Sequence, residues 1–316
     1  LGLVIRAGAA DRVDLPVEVE LALPEALASQ SARAFWLPTN QEPREVLAQL
    51  DPLGKHGKSR LVLIVPGPLG QGTEARVQVY LGLPKAPPAL PGAVGTRPGS
   101  NGMQWLENDQ VRLLLGSEGA HLYRWELKAA GNRDLTMPGE TGWAGFCDLA
   151  SYRHSQYRLD CSARGPAMVE YQCVDSSGHL KTIRLYGGAS WVEVLLSEPA
   201  PHYWDFDNPK NFAADGPTPG AWLFSNGQSG PVGREADGVP AQVKAQKVFW
   251  GVKHSPDKYA IGLITPEVPA FHHVAPGAGA GGVGIESSPA ETMNRLQATL
   301  DLKRPVEVRT HALQAR

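Results

Sequence analysis

The sequence predicts an all-β protein, an N-terminal β-sandwich unit followed by a large two-sheet antiparallel β-sandwich. Three observations predict it. Glycine and proline are abundant, 35 and 27 of 316 residues, and both are depleted inside helices and central strands and enriched in turns. Roughly a dozen short segments run apolar or alternate apolar with polar at period two, as half-buried strands do. No segment past residue 103 carries a comparable amphipathic helical pattern.

In the first unit, Leu15 to Leu23 (LPVEVELAL) alternates apolar with charged residues. Arg60 to Val65 (RLVLIV) is a continuous apolar strand followed by the turn-rich PGPLGQG, and Thr73 to Leu83 alternates again. A short helix is expected around Arg44 to Leu50. This unit is expected to span residues 1–85. Residues 86–102 are rich in proline and glycine and read as a linker.

Residues 103–316 form the expected second unit. Gln110 to Leu115, a turn at SEGA, and His121 to Leu127 open it. Tyr157 to Cys161, Ala167 to Val174 and Leu180 to Tyr186 follow, with Ser176-Ser177-Gly178 as a hairpin turn. Ser190 to Leu196 (SWVEVLL) is expected to be a central strand with Val192 and Val194 on one face. Further strands are read at 221–224, 242–252, 259–265, 296–302 and 306–313. Two long segments, Pro199 to Gly220 and Val268 to Pro289, read as loops, and long loops in compact domains are usually functional or mobile.

A formal net charge of −2 with no Lys/Arg run gives no basic face for nucleic acid. No apolar run approaches the ~20 residues of a membrane helix. Three cysteines, Cys147, Cys161 and Cys173, allow one disulfide at most and lack a CxxC spacing, so they read as buried thiols or one oxidised pair. The chain opens on Leu1 rather than Met, so a removed signal peptide or an expression boundary is expected upstream. The first of these would make the protein secreted or periplasmic.

Candidate chemistry lies in three places. His202 to Asp215 (HYWDFDNPKNFAAD) mixes aromatics, carboxylates and amides with His202 and Lys210. Aromatic faces cover the C–H patches of a pyranose, while carboxylates and amides take its hydroxyls. Tyr203 and Trp204 would form the sugar platform, with Lys210 and Asn211 as polar partners. The same segment also reads as a buried aromatic loop, or as a calcium site through Asp205, Asp207 and Asp215. Ser151 to Arg158 (SYRHSQYR) brings Arg153, His154 and Tyr157 close in sequence. His titrates near neutral pH, Arg holds a carboxylate bidentately and Tyr relays a proton, the three roles needed to remove a proton beside a uronate carboxylate. A polar β-edge is the plainer reading. Phe271 to Glu286 (FHHVAPGAGAGGVGIE) adds His272 and Glu286 beside a glycine-rich run that reads as a flexible loop, not a nucleotide motif.

The second unit resembles the galactose mutarotase-like superfamily of large β-supersandwiches, which includes sugar mutarotases and the β-domains of polysaccharide lyases and glycosidases. The resemblance rests on Asn108 to Leu127 as paired opening strands, on HYWDF at His202 after SWVEVLL, and on the late acidic Glu286. The order His154, His202, Asp205, Glu286 is similar to the family's active-site order. It implies a sugar-binding cleft over roughly residues 103–316.

The reading is therefore a carbohydrate-active enzyme, lyase-type in its acid/base chemistry, acting on a poly- or oligosaccharide. His154, Tyr157 and His202 would transfer protons, and Arg153 and Lys210 would hold negative charge. No cofactor is required, with calcium as an option. The alternatives are a non-catalytic carbohydrate-binding module or an interaction domain of a larger secreted protein.

Overall fold

The computed structural model describes residues 1–8, 11–24, 27, 31–53, 58–83, 89–128, 131–134, 155–196, 220–224, 227–231, 250–254, 259–264, 278–285 and 307–311. The fold is all-β. Seven strands come first: β1 (Gly2–Arg6), β2 (Arg12–Ala22), β3 (Ser31–Trp36), β4 (Arg44–Val46), β5 (Ala48–Pro52), β6 (Lys58–Leu69) and β7 (Glu74–Leu83). Next come β8 (Gly95–Pro98), β9 (Gln104–Glu107), β10 (Val111–Leu115), β11 (Leu122–Leu127), β12 (Arg133–Asp134), β13 (Tyr157–Arg164), β14 (Met168–Asp175), β15 (Leu180–Tyr186) and β16 (Trp191–Leu196). The last are β17 (Ala221–Phe224), β18 (Ser229–Pro231), β19 (Trp250–His254), β20 (Tyr259–Ile264), β21 (Ala278–Ile285) and β22 (Glu307–His311). Among the described residues no α-helix runs beyond a single turn.

The strands make four antiparallel sheets: β22-β1-β7-β3-β4, β2-β6-β5, the nine-stranded β13-β14-β15-β16-β21-β20-β19-β17-β18, and β12-β11-β10-β9-β8. Three apolar cores separate them. Leu3, Ile5, Val17, Leu61, Leu63, Val65, Val77 and Val79 fill the first unit between its two sheets. Leu106, Val111, Leu113, Leu115, Trp125, Ile183, Leu185, Val192 and Val194 fill the second, between the nine- and five-stranded sheets. A third, with Leu47, Val62, Ile64, Met168, Tyr186 and Trp191, joins β5 and β6 to the back of the nine-stranded sheet.

This stacking explains the pattern RLVLIV. Leu61, Leu63 and Val65 face one core while Val62 and Ile64 face another, so β6 is apolar on both sides. It also corrects the expected helix at Arg44 to Leu50, which is β4 and β5. Val46 and Ala48 face the first core and Leu47 the third, a period of two that only a strand between two cores satisfies.

β16 lies between β15 and β21, with Val192 and Val194 buried in the second core and Trp191 in the third, as the alternation predicts. The glycine-rich run read as a loop contains β21, paired with β16 and β20. Ladder hydrogen bonds need only backbone, so glycine weakens such a strand without forbidding it. Two details bear on the unit boundaries. β8 lies within the 86–102 segment and pairs with β9, ending at Pro98 on a sheet edge where a missing N–H is tolerated. β22 pairs with β1, so residues 307–311 complete a sheet of the first unit. Cys161 is partly buried and Cys173 buried, and both are free thiols.

Where the units meet, charged strand residues form one network. Glu170 takes hydrogen bonds from Arg60 (2.9 Å), Arg184 (2.5 Å) and Ser162 (2.6 Å). Arg60 also lies 3.6 Å from Glu18 and 3.7 Å from Asp51. Arg184 reaches Glu18 at 3.4 Å and Glu193 at 3.3 Å. The Tyr186 hydroxyl sits 2.6 Å from Glu18 and 3.0 Å from Glu193, a carboxylate from each unit. Gln49 completes the seam, accepting the backbone N–H groups of Ala167 (3.0 Å) and Met168 (2.6 Å). Burial alone would raise the Glu170 pKa, but hydrogen bonds from Arg60 and Ser162 and the charges of Arg184 and Arg60 outweigh it, pulling it down to about 2. At Asp51 burial dominates and raises the pKa.

Candidate functional site

Of the residues singled out by sequence, Tyr157 is described. Arg153, His154, His202, Tyr203, Trp204, Lys210, Asn211, His272, Glu286 and the calcium candidates Asp205, Asp207 and Asp215 lie outside the described residues. Tyr157 opens β13 and is buried in the second core, 5% exposed. Its ring faces the Lys181 ammonium, 5.7 Å from the ring centroid.

Around Tyr157, several reactive side chains gather. The hairpin joining β10 to β11 runs through Gly116-Ser117-Glu118-Gly119-Ala120-His121. Gly119 and Ala120 both adopt positive φ, +61° and +48°. The left-handed region costs an L residue roughly 1–2 kcal/mol, so Ala120 carries strain that its surroundings must hold in place. Lys181, 1% exposed, supplies part of that hold. Its ammonium donates to the Gly119 carbonyl at 2.7 Å and lies 3.4 Å from that of Ala120.

Backbone bonds tie this turn to the chain entering β13. Gly119 N–H donates to the Ser155 carbonyl at 2.8 Å, and Tyr157 N–H to the Ser117 carbonyl at 2.8 Å. Glu118 and Gln156 form a β-bridge between them. The turn is thus fixed one residue beyond His154 and two beyond Arg153.

The side chains pack closely. His121 is 2% exposed, with its ring against Gly119. The His121 and Tyr123 ring centroids are 6.2 Å apart, and the Tyr123 hydroxyl donates to Glu118 at 3.4 Å. A carboxylate and an imidazole of the turn, the Tyr123 phenol of β11 and the Lys181 ammonium of β15 therefore gather here, the group types that general acid–base chemistry uses. Among the described residues no group of three His, Cys, Asp or Glu side chains is arranged to hold a metal ion.

Gly119 should be irreplaceable. A Cβ there would stand 2.1 Å from His121 Nε2, and φ is +61°. Gly119→Ala is expected to cost about 2 kcal/mol through strain and displacement of His121. The urea midpoint reads this, and an unchanged midpoint would contradict the packing described.

Sequence reasoning passed over Glu118 as a turn residue and His121 and Lys181 as strand residues. Lys181 carries a signal of its own. It is in phase with Ile183 and Leu185, which face the core, and lysine on an apolar face is rarely buried without a partner. Gly119 and Ala120 carry no such signal, because only the fold reveals a positive φ.

The chain was compared with protein families and with curated proteins, and it matches none of them. Among the described residues no helix is long and apolar enough to cross a membrane.

Proposed function

We propose that this chain is a carbohydrate-active protein that processes a poly- or oligosaccharide by lyase-type acid/base chemistry, with its reactive centre at the β10–β11 turn and the segment entering β13. The observation that carries this reading is the pair of hydrogen bonds from Gly119 to Ser155 and from Tyr157 to Ser117. They fasten a strained turn bearing Glu118 and His121, with Tyr123 following on β11, to Ser155 and Tyr157, which come directly after Arg153 and His154 in the sequence.

In this reading a base among His121, His154 and Glu118 removes the proton beside a uronate carboxylate, which Arg153 neutralises. Tyr123 or a second histidine returns a proton to the leaving glycosidic oxygen. Tyr157, buried against Lys181, is a positioning residue. Tyr203 and Trp204 would supply the stacking surface, and His202, Lys210, Asn211, His272 and Glu286 the polar contacts. Such a substrate fits a secreted or periplasmic location and needs no nucleic acid or membrane.

One observation favours a second reading, a non-catalytic carbohydrate-binding module. His121 is 2% exposed, which suits a rigid turn as well as a proton carrier. Incubation with a panel of uronate-bearing and neutral polysaccharides separates the two, with unsaturated ends read by ultraviolet absorbance and reducing ends by colorimetry. Unsaturated ends from a uronate substrate are expected. Saturable binding without new ends of either kind would establish the second reading, and neither binding nor cleavage would sink both.

A further inference from the structure

The outer face of the five-stranded sheet β8–β12 adjoins the β10–β11 turn but uses none of its reactive residues. Cross-strand register places Arg97, Trp105, Leu114 and Arg124 in one row across β8 to β11. By the usual strand spacing the row is about 14 Å long. The guanidiniums of Arg97 and Arg112 each lie 5.1 Å from the Trp105 ring centroid. Arg112 is paired with Glu126, and Arg124 approaches both Glu126 (3.5 Å) and Asp134 (3.7 Å). Arg97 is exposed and has no carboxylate partner among the described residues.

We propose that this face is a second binding surface, and that its ligand is an anionic oligosaccharide, one bearing carboxylate or sulfate groups along an extended chain. A guanidinium held over an indole is already partly ordered, so it loses less freedom on taking an anion, and its planar fork matches a carboxylate or sulfate. The cations stand at both ends of the row with Trp105 and Leu114 between them, which suits a chain with charges spaced along an otherwise amphipathic backbone. A protein partner would want a larger apolar centre than one indole and one leucine. The surface does not depend on catalysis at the β10–β11 turn.

Affinity electrophoresis through gels containing polygalacturonate, dextran sulfate, neutral dextran or polyglutamate tests the proposal. Wild-type protein should be retarded by polygalacturonate or dextran sulfate, and the arm that retards it identifies the anionic group. Retardation should weaken as salt is added. Arg97→Glu should lower the apparent affinity by about tenfold, since a charge-assisted contact becomes a repulsion. Trp105→Ala should lower it as well, by loosening both arginines. Neither substitution alters a residue of the β10–β11 turn, so loss of retardation in both, by dextran sulfate as well as by the uronate polymer, separates this surface from the proposed reactive centre. Arg97 is exposed, so its variant should keep the wild-type melting temperature. The proposal is overturned if the wild type is not retarded by either anionic polysaccharide. It is equally overturned if neutral dextran or polyglutamate retards the protein as strongly, or if Arg97→Glu binds as well as wild type.

Discussion

Glu170→Ala is expected to destabilise the protein by about 3 kcal/mol, because it removes the carboxylate that both Arg60 and Arg184 hydrogen-bond and leaves them only the longer contacts to Glu18, Asp51 and Glu193. The Glu170 side chain is 4% exposed and those of Arg60 and Arg184 are 13% and 18% exposed, so solvent does little to screen the loss. The effect is tied to pH. Folding lowers the Glu170 pKa from the ordinary 4.5 to about 2. A carboxylate with a depressed folded value contributes stability that is complete above its unfolded value and is lost as pH falls through the folded one. Stability should therefore decline between about pH 4.5 and pH 2, by roughly 3 kcal/mol from this residue. Asp51 acts in the opposite sense, since burial raises its pKa and protonation relieves that cost. Glu170→Gln should flatten the acid limb of a stability–pH curve. A Gln variant whose acid limb matches wild type would show that the network does not set the acid response.

The other large effect lies in the second core. Val194 is 1% exposed on central strand β16. Val194→Asp would place a carboxylate among Ile183, Leu185 and Val192, in a core where the Lys181 ammonium is already bonded to the Gly119 carbonyl. The expected cost is about 4 kcal/mol or more, enough to unfold a marginal domain. Val194→Ala should cost about 2 kcal/mol, as removal of buried methyl groups does. Chemical denaturation gives both numbers, and an aspartate variant that melts with wild type would mean that β16 is not buried.

Strand periodicity made the fold legible wherever a strand faces one core and solvent, or two cores. The alternation in SWVEVLL assigned Val192 and Val194 to one face, and the unbroken RLVLIV marked a strand apolar on both. Periodicity failed at Arg44 to Leu50, where three consecutive apolar residues are shared between two cores and resemble a helical stripe. It failed at β21, whose glycines carry no facing preference. The seam was invisible for a different reason. In LPVEVELAL the charge at Glu18 looks like an ordinary solvent-facing position, and it becomes part of an ion network only because a second sheet is stacked on it. Glu18, Asp51, Arg60, Glu170, Arg184 and Glu193 come from six strands, and no local pattern joins them. At the candidate site, polar residue types drew attention to the segment around Tyr157, and of its three candidates Tyr157 alone is described, buried in the second core. The turn it bonds to was not legible, because hydrogen bonds between residues 117–119 and 155–157 belong to tertiary structure.

The central functional claim is that the β10–β11 turn does chemistry on a glycan. The most direct measurement is steady-state kinetics of His121→Ala and Glu118→Gln on the polysaccharide that the panel identifies, with melting temperatures recorded alongside. Loss of a general acid or base should lower turnover by about 100-fold or more while leaving KM within a few-fold of wild type. Wild-type turnover in both variants, at unchanged melting temperature, would contradict the account.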